Sequence, residues 1–558
     1  MKNWWQNEVV YQIYPKSFYD SNHDGIGDIL GIIEKLDYLK KLGITMIWIC
    51  PVYQSPMDDN GYDISDYENI HPDFGTLEDV DCLIEEAKKR NIKIIMDLVI
   101  NHTSDEHQWF KEALASQDSP YRQYYIFKEG KNGHAPTNWR SVFGGSTWEK
   151  VPGEDNMYYF HSFSKKQPDL NWENPKMRHD LYGMINRWLD KGIAGFRVDA
   201  INFIKKDQRY LDGEPDGQDG LVSCFDYCRN QEGIDVFFKE LKSETFAKHQ
   251  CMTVSEAVDV DYPDVGDYIG KYGCFSMMFD FNYTNIDVEN EDVFKRVDWT
   301  IKEYKQLLYK SQLEIQKIGW SAPFLENHDQ PRSINKLIKN PQYHNRIGAT
   351  FLATMYFFLR GTPFIYQGQE LGMINFQRKS IDEFDDINAH AQFLRALEEG
   401  FSEQQAITFL NMRSRDNART PFPWSDAQYG GFSQHVPWIK MDDHFKQINA
   451  ANQINRSDSV LSYYQKMISI RQHSTYHETL VYGAFDVLNL DNENIISYLR
   501  YDENQKIAII CNFSEQIQKI EYSFNINNII LNNEDNLQRN NQYIQLQPYQ
   551  AIVLDIDI

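Results

Sequence analysis

Four short stretches of this 558-residue chain close on side chains capable of chemistry, and one of them sets the pattern. Gly195-Phe196-Arg197-Val198-Asp199-Ala200 reads as a buried strand. Side chains alternate along a strand, so Arg197 and Asp199 share one face while Phe196 and Val198 share the other. The adjacent guanidinium is expected to keep Asp199 ionised at neutral pH, the state in which a carboxylate can attack an electrophilic carbon. A lone Arg-x-Asp pair on an apolar strand is equally what a structural ion pair looks like. The same arrangement recurs, however. The run 93–100 closes on Asn101 and His102, the run 251–255 on Glu256, and the run 323–327 on His328 and Asp329. Such recurrence points to successive strands whose C-terminal ends converge on one site.

The elements that must position these residues follow from periodicity. Segments 30–42, 178–191 and 301–317 repeat at three and four and read as helices. Strands are expected at 9–14, 44–49, 195–199, 274–281 and 361–367 besides the runs above. The stretch 351–359 reads as a further helix. From 104 to 171 Trp, Tyr, Gly and Pro are scattered without sustained helical periodicity. From about 481 apolar and polar residues alternate between turns such as 502–505, the sign of antiparallel strands. The Asn-rich stretch 525–542 reads as hairpin loops between them.

Composition narrows the function classes. The length calls for two or three domains. A net charge of -25 argues against nucleic acid and anionic membranes as partners, and the 14% aromatic content suits both a core and a cleft where rings stack. The amino terminus has no long apolar core of a signal peptide, and no run of about eighteen apolar residues occurs, so a cytoplasmic protein is expected. The seven cysteines lie mostly in apolar segments and read as reduced; Cys224 and Cys228 lack metal-ligand spacing. The loop 20–28 places oxygen donors at alternate positions, Asp20, Asn22, Asp24, the Ile26 carbonyl and Asp28, with glycines allowing a tight turn. This resembles the first half of an EF-hand loop, although Gly31 stands where the bidentate Glu belongs. A network of Asx turns is the alternative.

The motifs 97–102 (DLVINH), 195–200 (GFRVDA), 254–257 (VSEA) and 324–329 (FLENHD) resemble, in order and spacing, the four signature regions of the α-amylase superfamily of glycoside hydrolases. Segments 11–15, 61–67, 167–171, 361–370 and 414–421 look like its oligo-1,6-glucosidase and α-glucosidase branch. The resemblance implies a (β/α)8 TIM barrel over 1–103 and 172–480, with a long loop region, 370–457, covering its mouth. It also implies an inserted domain B over 104–171 after the third strand, and a C-terminal antiparallel β-sandwich over 481–558. Asp199 is implied as nucleophile, Glu256 as general acid/base and Asp329 as the carboxylate that binds the 2- and 3-hydroxyls. Arg197, His102 and His328 serve the same sugar, Tyr62 stacks beneath its ring, and Phe143 and Phe163 form a cleft wall. Asp59 and Arg415 are implied to bind the 4-hydroxyl and close the pocket, although Asp59 and Tyr62 also lie in a good turn sequence. Asp97 is implied as a support beneath the site. Loop 20–28 is implied to hold a structural Ca²⁺ or Mg²⁺.

The expected activity is therefore that of a retaining, exo-acting α-glucosidase on small oligosaccharides, as a monomer or simple homo-oligomer without organic cofactor. Ala200, which follows the nucleophile, tilts the expectation to α-1,4 linkages, since Val there tends to accompany α-1,6 cleavage. Alternatives are an oligo-1,6-glucosidase, a trehalose-6-phosphate hydrolase, a sucrose-active transglucosylase, and a carbohydrate-binding or transporter-associated homologue without activity.

Overall fold

The computed structural model describes residues 2–289, 291–540 and 542–557. Met1, Ile558 and Asn541, which end the predicted ranges or fall in the Asn-rich stretch, lie outside the described residues, as does Asn290. Seven parallel strands form one sheet in the spatial order Met277–Phe279, Met252–Glu256, Gly195–Asp199, Lys93–Val99, Met46–Ile49, Val10–Ile13 and Phe364–Tyr366. The expected strand at 323–327 is not formed as a regular strand. Its neighbour segment nevertheless closes the barrel: Ala322 N–H donates to Met278 O and Phe364 N–H to Pro323 O, both at 2.9 Å. Pro323 has no N–H to give, which breaks a regular ladder at this position.

Two glycines permit close strand contacts. A Cβ on Gly195, at φ +146°, would fall 1.7 Å from Met252 O, and one on Gly361, at φ +152°, 2.4 Å from Pro323 Cδ. Alternation then sorts the fourth strand as expected. Phe196 and Val198 join the layer between strands and helices. Val10, Trp48, Ile95, Val254, Phe279, Phe324 and Phe364 pack the barrel interior.

The helices begin where local chemistry caps them. Ile29–Leu42 starts on Asp28, whose carboxylate accepts from Gly31 N–H, and stops on left-handed Gly43. Leu77–Lys89 and Ile301–Ile318 carry capping boxes from Thr76/Asp79 and Thr300/Glu303. Pro175–Lys191 has Pro at its first position, three residues before the periodic signal began. Arg346–Phe357 is the apolar helix expected around 351–359; among the described residues no helix is long and apolar enough to cross a membrane.

Three expectations are corrected. The 104–171 segment contains a helix, Gln108–Ala115, and a three-stranded antiparallel sheet; its Trp139–Arg140 pairs in parallel with Val222–Ser223, from beyond the fourth barrel strand. The 370–457 region is not mainly loop: Ile387–Glu398 and Glu403–Arg413 form a packed helical pair. The Asn-rich stretch holds an edge strand, Asn525–Asn532, antiparallel to Ala551–Asp557 with two register shifts. Those shifts blur the alternation that would have revealed it.

The C-terminal part packs a five-stranded sheet against a three-stranded one over a shared apolar cluster. Arg500 ties it to the barrel: fully buried, its guanidinium donates to the carbonyls of Phe358, Leu359, Leu480, Val481 and Gly483. Replacing Arg500 by Met strands these acceptors. Urea unfolding of Arg500→Met should show a loss on the order of 3 kcal/mol or more, against near-neutral behaviour if the carbonyls find other donors.

Candidate active site

At the C-terminal ends of the strands lies a cavity of about 180 Å³. Its lining brings together Asp199, Glu256, Asp329, Asp59, Tyr62, His102, Phe143, Phe163, Ala200 and Arg415 from distant parts of the chain. Arg197 and His328 sit directly behind it.

Arg197 organises one side. Strand register sets it opposite Asp97, and its NH1 bonds Asp97 Oδ1 at 2.7 Å and Asp199 Oδ1 at 2.6 Å. Its NH2 makes an ion pair with Glu256. Asp97 Oδ2 is held by Trp48 Nε1 at 2.9 Å and Tyr62 OH at 3.0 Å, the supporting role expected of it. Glu256 also accepts from the Ala200 N–H at 3.1 Å, and Ala200 takes a left-handed φ of 41° at the turn after strand Gly195–Asp199.

Three buried carboxyls thus share one guanidinium, which corrects the expectation that Arg197 simply keeps Asp199 ionised. Burial raises Asp199, Arg197 pulls it back, and Asp97 and Asp329 push it up again; the net direction is upward. Burial likewise pushes Glu256 up to about 7, opposed by Arg197 and reinforced by Asp199 and Asp329. Asp329 behaves oppositely. Burial alone would raise it, but His328, Arg415 and Arg419 hold it well below the usual carboxylate range. His328 Nε2 is 3.0 Å from Asp329 Oδ2, and Arg419 NH2 is 2.8 Å from Oδ1.

The histidines are fixed by their neighbours. Gln12 Nε2 lies 2.8 Å from His328 Nδ1. An amide donor there makes Nδ1 an acceptor and leaves the proton on Nε2, facing Asp329. Burial lowers His102 to about 4, so its ring is neutral. Its Nε2 is 3.0 Å from the Tyr62 carbonyl, so its N–H is engaged by the backbone rather than free for a sugar hydroxyl. Tyr62 stacks on His328 with centroids 5.0 Å apart.

Arg415 NH2 bonds Asp59 Oδ1 at 2.8 Å in the cavity lining. Arg415 also lies 5.1 Å from the Phe143 ring centroid, and Phe143 packs on Phe163 at 5.6 Å. Several partners escaped the sequence reading. Asp386, buried at the start of Ile387–Glu398, holds Arg415 through Nε at 3.0 Å. Gln167 bonds Asp59 at 3.2 Å. Gln12, Gln167 and Arg419 lie inside the 11–15, 167–171 and 414–421 motifs, which were usable signals; Asp386 carried none, because it acts through a distant partner.

In loop 20–28 the side chains bond within the loop. Asp20 accepts from His23, Asp24 and Gly25 N–H, Asp24 from Ile26 N–H and Asn22 Nδ2, and Asp28 from Ser21 and Gly31 N–H. Asn22 Oδ1 in turn accepts from Asp24 N–H. Among the described residues, no three His, Cys, Asp or Glu side chains gather as a metal cluster. The all-oxygen donor set nonetheless has the chemistry of a hard-cation site. All seven cysteines are free.

A carboxylate pair bridged by one guanidinium, with a third carboxylate locked in its charged form, defines a glycosidase-type site in a parallel barrel. The catalytic-domain profile of alpha-amylase matches residues 12–483. The chain is 44% identical over 517 residues to the oligo-1,6-glucosidase of Parageobacillus thermoglucosidasius, covering 92% of this chain and 91% of the relative. It is 39% identical over 569 residues to the trehalose-6-phosphate hydrolase of Bacillus subtilis (strain 168), covering 99% and 98%. Among solved structures it is similar to isomaltulose synthase from Klebsiella sp. LX3, with TM-score 0.93, 37% identity and both chains covered in full. The chain belongs to the alpha-amylase family of glycoside hydrolases.

The raised carboxyls fix the sign of the pH response. Activity that needs ionised Asp199 is lost as pH falls, earlier than for an ordinary carboxylate. Activity that needs protonated Glu256 is lost as pH rises through about 7. The profile of kcat/KM should be a narrow bell near neutrality. Glu256→Gln should remove the group responsible for the alkaline limb and lower kcat on disaccharides by about 10²–10⁴; an unchanged alkaline limb would reassign it.

Proposed function

We propose that this protein is a retaining, exo-acting α-glucosidase that releases glucose from the non-reducing end of short α-glucosides. The observation that carries this reading is the single guanidinium joining Asp199 and Glu256. One planar group holding both carboxyls keeps them near each other, which suits the roughly 5–5.5 Å of a retaining pair better than the about 6.5–9.5 Å of an inverting one. Asp199 then attacks the anomeric carbon while Glu256 protonates the leaving oxygen, and in the second step Glu256 takes a proton from water as the sugar ester is released. Asp329, kept charged by its cations, accepts from ring hydroxyls, and the Asp59–Arg415 pair blocks extension past the terminal glucose.

For linkage, the names of the relatives favour α-1,6 bonds, whereas the earlier expectation from Ala200 was α-1,4. We propose that α-1,6 cleavage is retained and that the small Ala200 side chain, in the cavity lining beside Asp199, admits α-1,4 substrates as well. A neutral rather than phosphorylated aglycone is supported by the pairing of both guanidiniums in the rest of the lining. Arg229 is paired with Asp259 and Glu291, and Arg413 with Asp287.

NMR of early products should show α-glucose, and Asp199→Asn should be nearly inactive; β-glucose would overturn the retaining assignment. Initial rates on isomaltose and maltose should both be substantial in the parent, and Ala200→Val should raise the isomaltose-to-maltose ratio. An unchanged ratio would discard the role given to Ala200.

A divalent cation at loop 20–28 is also proposed, supported by its oxygen donors. Addition of EDTA should lower Tm by several degrees and Ca²⁺ should restore it. An unchanged Tm would leave the Asx-turn network as what holds the loop.

A further inference from the structure

Away from the Asp59–Arg415 end, the cavity is lined by a second polar construction that the catalytic roles leave unused. Arg229 NH1 bonds Asp259 Oδ2 and its NH2 bonds Glu291 Oε1, each at 2.8 Å. Its guanidinium lies 3.5 Å from the Phe225 ring centroid and 4.9 Å from that of Phe203. Phe203 in turn packs on Phe163, a wall residue of the site. The arginine is 7% exposed, and its Nε is buried without a partner among the described residues.

The two carboxylates come from different segments, and both hold strained backbone, with φ of 55° at Asp259 and 61° at Glu291. Non-glycine residues in the left-handed region persist where surrounding contacts over-determine them, and such strain collects at ligand clamps. The clamp is also tied to the acid. Asp259 stands three residues after Glu256, and the intervening turn is pinned by Asn202 Nδ2 to the Val258 carbonyl at 2.8 Å and by Asn230 Nδ2 to the Asp259 carbonyl at 2.9 Å. Arg229, Glu291, Asn202 and Val258 all face the cavity.

We infer that Arg229 and Glu291 form the polar face of the aglycone subsite and select a neutral, hydroxyl-bearing leaving sugar. The inference rests on the proposed α-glucosidase reading and extends it to the other side of the cleaved bond. Glu291, with its side chain one-third exposed, accepts from hydroxyls of the leaving sugar. Arg229 aims that carboxylate; shared between Asp259 and Glu291, it leaves the group net negative, so that hydroxyls can donate to Glu291 while a phosphorylated sugar is disfavoured. The flat contact with Phe203 and Phe225 sets the arginine's orientation, a geometry that Lys does not reproduce.

The test compares isomaltose with p-nitrophenyl α-glucoside, whose leaving group carries no sugar hydroxyls. In Arg229→Met and Glu291→Gln, kcat/KM on isomaltose should fall at least tenfold more than on the aryl glucoside, mainly through KM, with the pH profile on the aryl substrate unmoved. Glu291→Gln keeps the side-chain volume and guards against a folding defect in Arg229→Met, with Tm measured for both. Equal losses on the two substrates in Glu291→Gln would overturn the inference while leaving the glucosidase reading intact. A parent enzyme inactive on both substrates would instead sink that reading.

Discussion

Arg197 must satisfy three carboxyl groups in a space almost closed to water, and it cannot hold all of them charged. Removing an ion from water costs on the order of several kcal/mol even after relaxation, and only close pairing offsets it. Two anions bonded to NH1 and a third to NH2 leave excess negative charge that is most cheaply relieved by a proton. Trp48 and Tyr62 stabilise the charge on Asp97 by donating to it. Asp199 and Glu256, both shifted upward, are the two groups that the proposed mechanism needs in opposite protonation states. Asp329 stands outside this competition because three other cationic or donor groups face it.

Much of the fold can be understood as the means of keeping that cluster rigid. A parallel ladder places Asp97, Arg197 and Glu256 on adjacent strands. Gly195 lets the central strand approach the Met252 carbonyl more closely than any side chain would allow. Pro323 interrupts the closing ladder ahead of the segment that delivers His328 and Asp329. Distortion of the barrel thus coincides with the segment that brings Asp329 to the cavity, where a loop can reach inward and a regular strand could not.

The sequence revealed this half of the site because strand alternation is local. Arg197 and Asp199 share a face whatever surrounds them, and the apolar runs ending in Asn101, Glu256 and Asp329 are visible as strings. The supporting shell was less legible. Gln12 fixes the tautomer of His328 across 316 positions, and Asp386 orients Arg415 from a helix start within a segment expected to be loop. Charge balance was not legible either. The Arg197–Asp199 pair suggested a carboxylate held ionised, but Asp97 and Glu256 join the same guanidinium only after folding. Edge strand Asn525–Asn532 was obscured for a different reason: its exposed asparagines and bulges remove the period-two signal.

The two ends of the cavity differ in how firmly they are built, and this bears on specificity. At one end Asp59, Arg415, Asp386 and Gln167 interlock, so a change to one strands the others and the surface has little freedom to adapt. At the other end Arg229 is gripped by carboxylates on two segments with strained backbone, and Ala200 contributes almost no bulk. On the proposed mechanism, different leaving groups can be accepted by varying that outer half alone, since a proton from Glu256 would serve any glycosidic oxygen placed beside it. Similarity over the whole chain identifies the family, whereas the proposed linkage choice rests on a few side chains beyond the cleaved bond.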